Sequence, residues 1–162
     1  MRSPEQETRT EQYLTFILDG EQFAVDVRET REILDMPALT RIPQSPAEML
    51  GVINLRGAVV PVIDLRRKFA MAGDGQGTNA CVIVLEVPTS NGALVVGALA
   101  DEVCEVIDLD AGQIQPAPKL GSRIRTEYLK GIGQHQERFI LVLETARLFR
   151  DDELEQMQAA AA

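Results

Sequence analysis

Apolar positions along this chain come in short stretches separated by turn-forming residues. YLTFILDGEQFAVDV (13 to 27) is two such stretches around Asp19-Gly20, and Asp-Gly between apolar-rich runs is a strong hairpin signal. RETREILD (28 to 35) is short and mixed and predicts a helical turn, followed by the Pro-punctuated loop LTRIPQSP. GVINLRGAVVPVIDLR (51 to 66) is mostly apolar, yet too long for one typical strand of about five or six residues. Gly57 therefore marks a turn or bulge inside it, and Pro61 marks an edge or irregularity in the strand that follows. Beyond the polar, Gly-rich AGDGQGTN (72 to 79), the runs ACVIVLEV and ALVVGALA read as strands on either side of PTSNG. RFILVLE (138 to 144) is a further strand, and ETARLFRDDELEQMQ predicts a closing helix with an Ala-rich, fraying tail.

The pattern repeats. RETREILD at 28 aligns with DEVCEVID at 101, pairing Glu32 with Glu105, Ile33 and Leu34 with Val106 and Ile107, and Asp35 with Asp108. LGVIN at 50 aligns with KGIGQ at 130, and VPVIDLRRKF at 60 with ILVLETARLF at 140, at a constant spacing of 80 residues. Gly51 thus matches Gly131, and Phe69 matches Phe149. Two units with several short strands and few helices predict an all-β fold of two small barrels. The units span 12–70 and 80–144, joined by 71–79, with a flexible N-terminus over 1–11 and a C-terminal helix and tail over 145–162. The repeat leaves open whether strands pass between the barrels.

Composition narrows the function. At 45% hydrophobic, 162 residues suffice for a buried core. The 25 acidic residues exceed the 16 basic ones, a net charge of −9 that repels phosphate backbones and anionic lipid, so nucleic acid is not an expected partner. No apolar run approaches the ~20 residues of a membrane helix, and MRSPEQETRTEQ lacks the core of a signal peptide; a cytoplasmic location without membrane insertion is expected. Cys81 and Cys104, without C-x-x-C spacing, read as reduced, buried thiols. Enzymatic constellations fail one after another. His135 is the only histidine, and no G-x-S-x-G or G-x-x-x-x-G-K-[ST] motif is present. GDGQG leads into a strand, where a phosphate cradle needs a helix N-terminus. Asp101-Glu102 and Asp151-Asp152 read as solvated surface. No catalytic residue, metal ligand or cofactor is assigned.

Arg56 stands out against this scaffold. In the repeat, Asn54-Leu55-Arg56-Gly57 faces Gln134-His135-Gln136-Glu137, so the fold alone does not demand an arginine there. It reads either as a solvated turn residue, paired for instance with Asp64, or as a partner contact. A guanidinium on a rigid corner offers a planar, five-donor fork of the type enriched at binding hot spots.

These stretches resemble the CheW coupling proteins of bacterial chemotaxis. The resemblance is carried by GVINLRGAVVPVIDLR with its NLRG core, by LTRIPQSP, FAVDVRETREI and DEVCEVIDL followed by QIQPAP, and by TEYLKGIG followed by RFILVLE. It covers roughly residues 12 to 150. It implies a non-enzymatic adaptor of two SH3-like five-stranded β-barrels, which links cytoplasmic chemoreceptor tips to the regulatory domain of the histidine kinase CheA. It also implies recruitment to membrane-associated receptor arrays, where such proteins self-associate. A scaffold of another chemosensory pathway, controlling surface motility or a second messenger, is the alternative. By the resemblance, Arg56 is a coupling residue with Asn54 and Gly57 shaping its corner. Glu32 lies in the same surface, where it can preset the guanidinium. Gly51, Val103 and Gly131 fall at further coupling positions. Ile33, Leu34, Val52 and Ile53 are expected to form an apolar groove between the barrels that receives a receptor helical hairpin.

Overall fold

Eleven strands build two sheets in a computed structural model, which describes residues 10–71, 79–90, 92–117, 126–149 and 155. The strands are β1 (Thr10–Leu18), β2 (Glu21–Asp26), β3 (Thr30–Asp35), β4 (Met49–Leu55), β5 (Ala58–Asp64), β6 (Cys81–Thr89), β7 (Gly92–Ala100), β8 (Glu102–Asp110), β9 (Ile114–Gln115), β10 (Leu129–His135) and β11 (Arg138–Leu143). One helical turn, α1 (Leu65–Lys68), follows β5. The expected hairpins form at β1–β2, β4–β5 and β6–β7, and a further one forms at β10–β11. The first turns at Asp19 and Gly20, with φ of +49° and +81°, the left-handed pair that a two-residue I′ turn requires.

RETREILD departs from expectation. Only Val27–Glu29 form a 3-10 turn, and Thr30–Asp35 is a strand antiparallel to β6. Its alternation of half-buried and exposed positions has the period of a strand half-covered by neighbours, a signal easily lost in six residues. Of the expected C-terminal helix, Thr145–Arg147 form a 3-10 turn, and 150–154 and 156–162 lie outside the described residues, as do 1–9 and 72–78.

The sheet orders are β8-β1-β2-β11-β10-β9 and β3-β6-β7-β5-β4. Each curls so that its two outer strands are consecutive in the chain: β8 runs into β9 through a 3-10 turn, and β3 runs toward β4 through a loop whose Thr40 bridges Val52. These are two SH3-like barrels, five strands in one and five long strands plus the short β9 in the other. They do not coincide with the sequence units 12–70 and 80–144. The hairpin β1–β2 sits in the barrel otherwise built from β8 to β11, and β6–β7 sits in the barrel otherwise built from β3 to β5. Each inserted hairpin makes one antiparallel and one parallel contact with its host, β1 to β8 and β2 to β11 in one case, β6 to β3 and β7 to β5 in the other. The parallel ladder along β5 begins at Val62, just past Pro61, whose missing N–H is thereby kept out of it.

Three clusters of buried apolar side chains result. Ile107, Leu109, Ile140 and Val142 fill the β8–β11 barrel, and Ile53, Val60, Val62 and Val84 fill the other. The largest lies between the barrels, where Phe16, Phe23, Leu65, Phe69 and Leu85 meet. Strand β6 is thus covered on both faces, which is why ACVIVLEV reads as a continuous apolar run. Phe69 is 2% exposed and Phe149 8%, so both repeated phenylalanines are core residues as expected.

Candidate functional site

The turn between β4 and β5 carries the arginine. Arg56 and Gly57 have φ of +52° and +87°, a left-handed pair that matches the twist of the strands, and Asn54 closes the corner by accepting the Gly57 N–H on Oδ1 at 2.7 Å. The corresponding turn in the other barrel places Gln136 and Glu137 at +51° and +65°, so the scaffold fixes the backbone and leaves the side chain free to differ. Arg56 does not pair with Asp64. It reaches across to β3, where Nη1 donates to Glu32 Oε1 at 2.7 Å and Nη2 to Oε2 at 2.8 Å, a bidentate fork. These hydrogen bonds hold the Glu32 carboxyl below its ordinary range and raise the guanidinium in turn. The arginine side chain remains 73% exposed. It is oriented and open to solvent at once.

Beside the pair lies a groove of about 550 Å³ with an apolar floor of Leu55, Val59 and Leu94 and a charged rim of Arg31, Glu32 and Arg56. A second groove, about 480 Å³, runs between the barrels and is lined by Ile33, Met36, Cys81, Glu102 and Val103. Ile33, 45% exposed, offers its apolar side chain there, and half-buried Val103 leans on the shared core.

Other expected groove residues are interior. Ile53 is 3% and Val52 9% exposed, one in a barrel core and one in the shared core, because β4 is covered on both faces. Leu34 packs partly buried on the same barrel core as Ile53. Gly51 and Gly131 are also buried. A Cβ on Gly51 would lie 2.5 Å from the Thr40 carbonyl oxygen, and one on Gly131 2.5 Å from that of Gln115, so both glycines admit the bridging segment that closes each barrel. Cys81 is buried as expected, whereas Cys104 is exposed, facing solvent from the edge strand β8. Asp101 is not plain solvated surface either, since it pairs with buried Arg66; Asp151 and Asp152 lie outside the described residues.

Sequence reasoning missed one set of surface residues. Val59, Val106 and Phe139, the last 71% exposed, are the large exposed hydrophobics besides Ile33 among the described residues. They fall into the pairs that the repeat defines, Ile33 with Val106 and Val59 with Phe139, so reading the alignment for surface as well as core positions finds them.

The fold and its grooves define a class: a paired-barrel protein with an oriented, exposed ion pair and two surface grooves. The comparisons then narrow it. The family model for the CheW-like domain matches residues 12–153. The chain is 39% identical over 148 residues to the chemotaxis protein CheW of Klebsiella aerogenes, covering 91% of this chain and 87% of that one. It is 31% identical to the protein FrzA of Myxococcus xanthus, with 89% of each covered. The crystal structure of the scaffolding protein TtCheW from Thermoanaerobacter tengcongensis superposes with a TM-score of 0.79 at 29% identity, over 88% of this chain and 94% of that one. The chain belongs to the CheW family.

Proposed function

We propose that this protein is a chemotaxis adaptor that couples the cytoplasmic tips of chemoreceptors to the regulatory domain of the histidine kinase CheA. It works in the cytoplasm and is recruited to receptor arrays, where copies also associate with one another. The observation that carries the reading is the Glu32–Arg56 fork, in which a guanidinium is held in one orientation while most of its surface stays free for a partner. Such preorganisation lowers the side-chain entropy lost on docking. The inter-barrel groove, with Ile33 and Val103 on its walls, is the site for an amphipathic receptor helix, whose apolar anchors at i, i+3 and i+4 suit a slot of that shape. Gly51 and Gly131 act through barrel closure, and Val52, Ile53 and Leu34 through the cores behind these surfaces. Individually weak contacts gain from effective concentration once several are joined in one array. No described helix is long and apolar enough to span a membrane.

The 39% identity to the Klebsiella protein, which is named as a chemotaxis protein, favours a chemotaxis pathway over a scaffold of another chemosensory pathway. Titration of the chain with a receptor-tip fragment and CheA, followed by size-exclusion chromatography, tests the assignment: a ternary complex is expected. Arg56→Glu should keep the fold and weaken receptor coupling about 30-fold, the effect of losing a hot-spot arginine. Unchanged receptor-dependent kinase activation by that variant would sink the role given to Arg56.

A further inference from the structure

GVINLRGAVVPVIDLR ends on a second arginine that the grooves do not use. Arg66, in α1, is only 6% exposed, an uncommon place for a guanidinium. Its Nε lies 3.4 Å from Asp64 Oδ1 and its Nη1 3.1 Å from Asp101 Oδ1. Asp64 Oδ1 also accepts the Arg66 backbone N–H at 3.0 Å, which fixes the start of α1. Asp101 occupies the crossover between β7, in one barrel, and β8, in the other. Its Oδ2 accepts the Asp19 N–H at 2.7 Å, and its own N–H donates to the Ile17 carbonyl at 3.0 Å. Ion pairs and hydrogen bonds therefore run without interruption from α1 in the β3–β7 barrel, through the crossover, to the β1–β2 turn of the opposite barrel.

The repeat shows that this chain of contacts is not a requirement of the fold. Arg66 aligns with Ala146 and Asp101 with Arg28, and Arg28 pairs instead with Asp26 and Glu11. Only one of the two related junctions carries a buried guanidinium. The next residues after Asp101 are Glu102 and Val103, which wall the inter-barrel groove.

We infer that Arg66 is a latch that fixes the orientation of the two barrels and so the shape of the groove between them, making it a positioning residue for the partner seated there. The link to a partner rests on the function proposed above; the latch itself does not. A buried charge left without its counterpart destabilises a fold, so Arg66→Met is combined with Asp101→Asn, while Asp64 keeps Arg67 Nε at 3.6 Å and the backbone N–H of residue 66. Spin labels at positions 59 and 106, both exposed and on different barrels, report the inter-barrel distance in a Cys81→Ala, Cys104→Ser background. The expected result is a broader distance distribution in the folded double variant and about tenfold weaker binding of a receptor-tip fragment. A distribution unchanged from that of the parent overturns the latch. If the double variant does not fold, Asp101→Asn alone serves, since its amide oxygen still accepts the Asp19 N–H: broadening supports the latch and an unaltered distribution overturns it. Broadening with unchanged receptor-tip affinity upholds the latch and counts against the groove as the docking site.

Discussion

At Arg56 the backbone and the side chain answer to different demands. The left-handed φ is set by the two-residue turn, which its counterpart Gln136 adopts without an arginine, while the side chain is set by Glu32, 24 residues earlier. Glu32 has its pKa lowered in the fold, so its share in the pair is full at neutral pH and is lost only as pH falls through that lowered value. The residues alone marked the arginine as out of place and offered nearby Asp64 as its partner, whereas Glu32 came in only through the family resemblance, since nearness in the chain is visible and adjacency across a sheet is not. Another residue is out of place in the opposite sense. The hydroxyl of Thr145, 1% exposed, has no hydrogen-bond partner among the described residues, and the repeat puts buried Leu65 at the same position. Replacing Thr145 by the similarly shaped valine removes a buried, unsatisfied group and should stabilise the fold by about 1 kcal/mol. Urea denaturation checks this, with a higher midpoint expected at an unaltered m-value.

The hairpins are the most legible elements because their partners are local: Asp19-Gly20 and Arg56-Gly57 state the turn, and the flanking runs state the strands. Barrel closure is the least legible, since it depends on brief pairings over long loops. β9 is two residues long, and its counterpart in the other barrel is the single bridge from Thr40 to Val52. The repeat still pointed to it, because Gly51 and Gly131 recur where the strand register shifts and the bridging backbone passes close. In both Gly51→Ala and Gly131→Ala the new methyl is forced against a backbone carbonyl that cannot swing away as a side chain would. Each change should cost about 2 kcal/mol, in the range of core overpacking, measured by chemical denaturation. Loss of receptor coupling in these variants should track loss of folded protein, in contrast to Arg56→Glu.

In the whole molecule the duplication was visible and the exchange of hairpins was not. Apolar strands resemble one another, so a sequence states that a strand exists far more clearly than which neighbour it chooses. The exchange makes the barrels one thermodynamic unit. Phe69 lies at their junction, stacked at 5.8 Å on Phe23 and 5.5 Å from Tyr128, with Phe16 next in line beyond Phe23. Phe69→Ala should cost about 3 kcal/mol. It should lower a single unfolding transition, seen alike by far-ultraviolet circular dichroism and by tyrosine fluorescence from the opposite barrel. A melt that separates into two steps would contradict the shared core.

The same exchange governs the order in which a growing chain can settle. Of the strands described, β1 and β2 leave the ribosome first, yet their sheet neighbours are β8 and β11, and β11 ends only at Leu143. The other barrel can close sooner, but not before β3 to β5 meet a hairpin that ends at Ala100. A nascent chain stopped at the Gly-rich join would hold five strands and no complete sheet. Synthesis of this protein thus runs most of its course before either barrel can close, and the exposed edges of that interval are the surfaces a chaperone would meet.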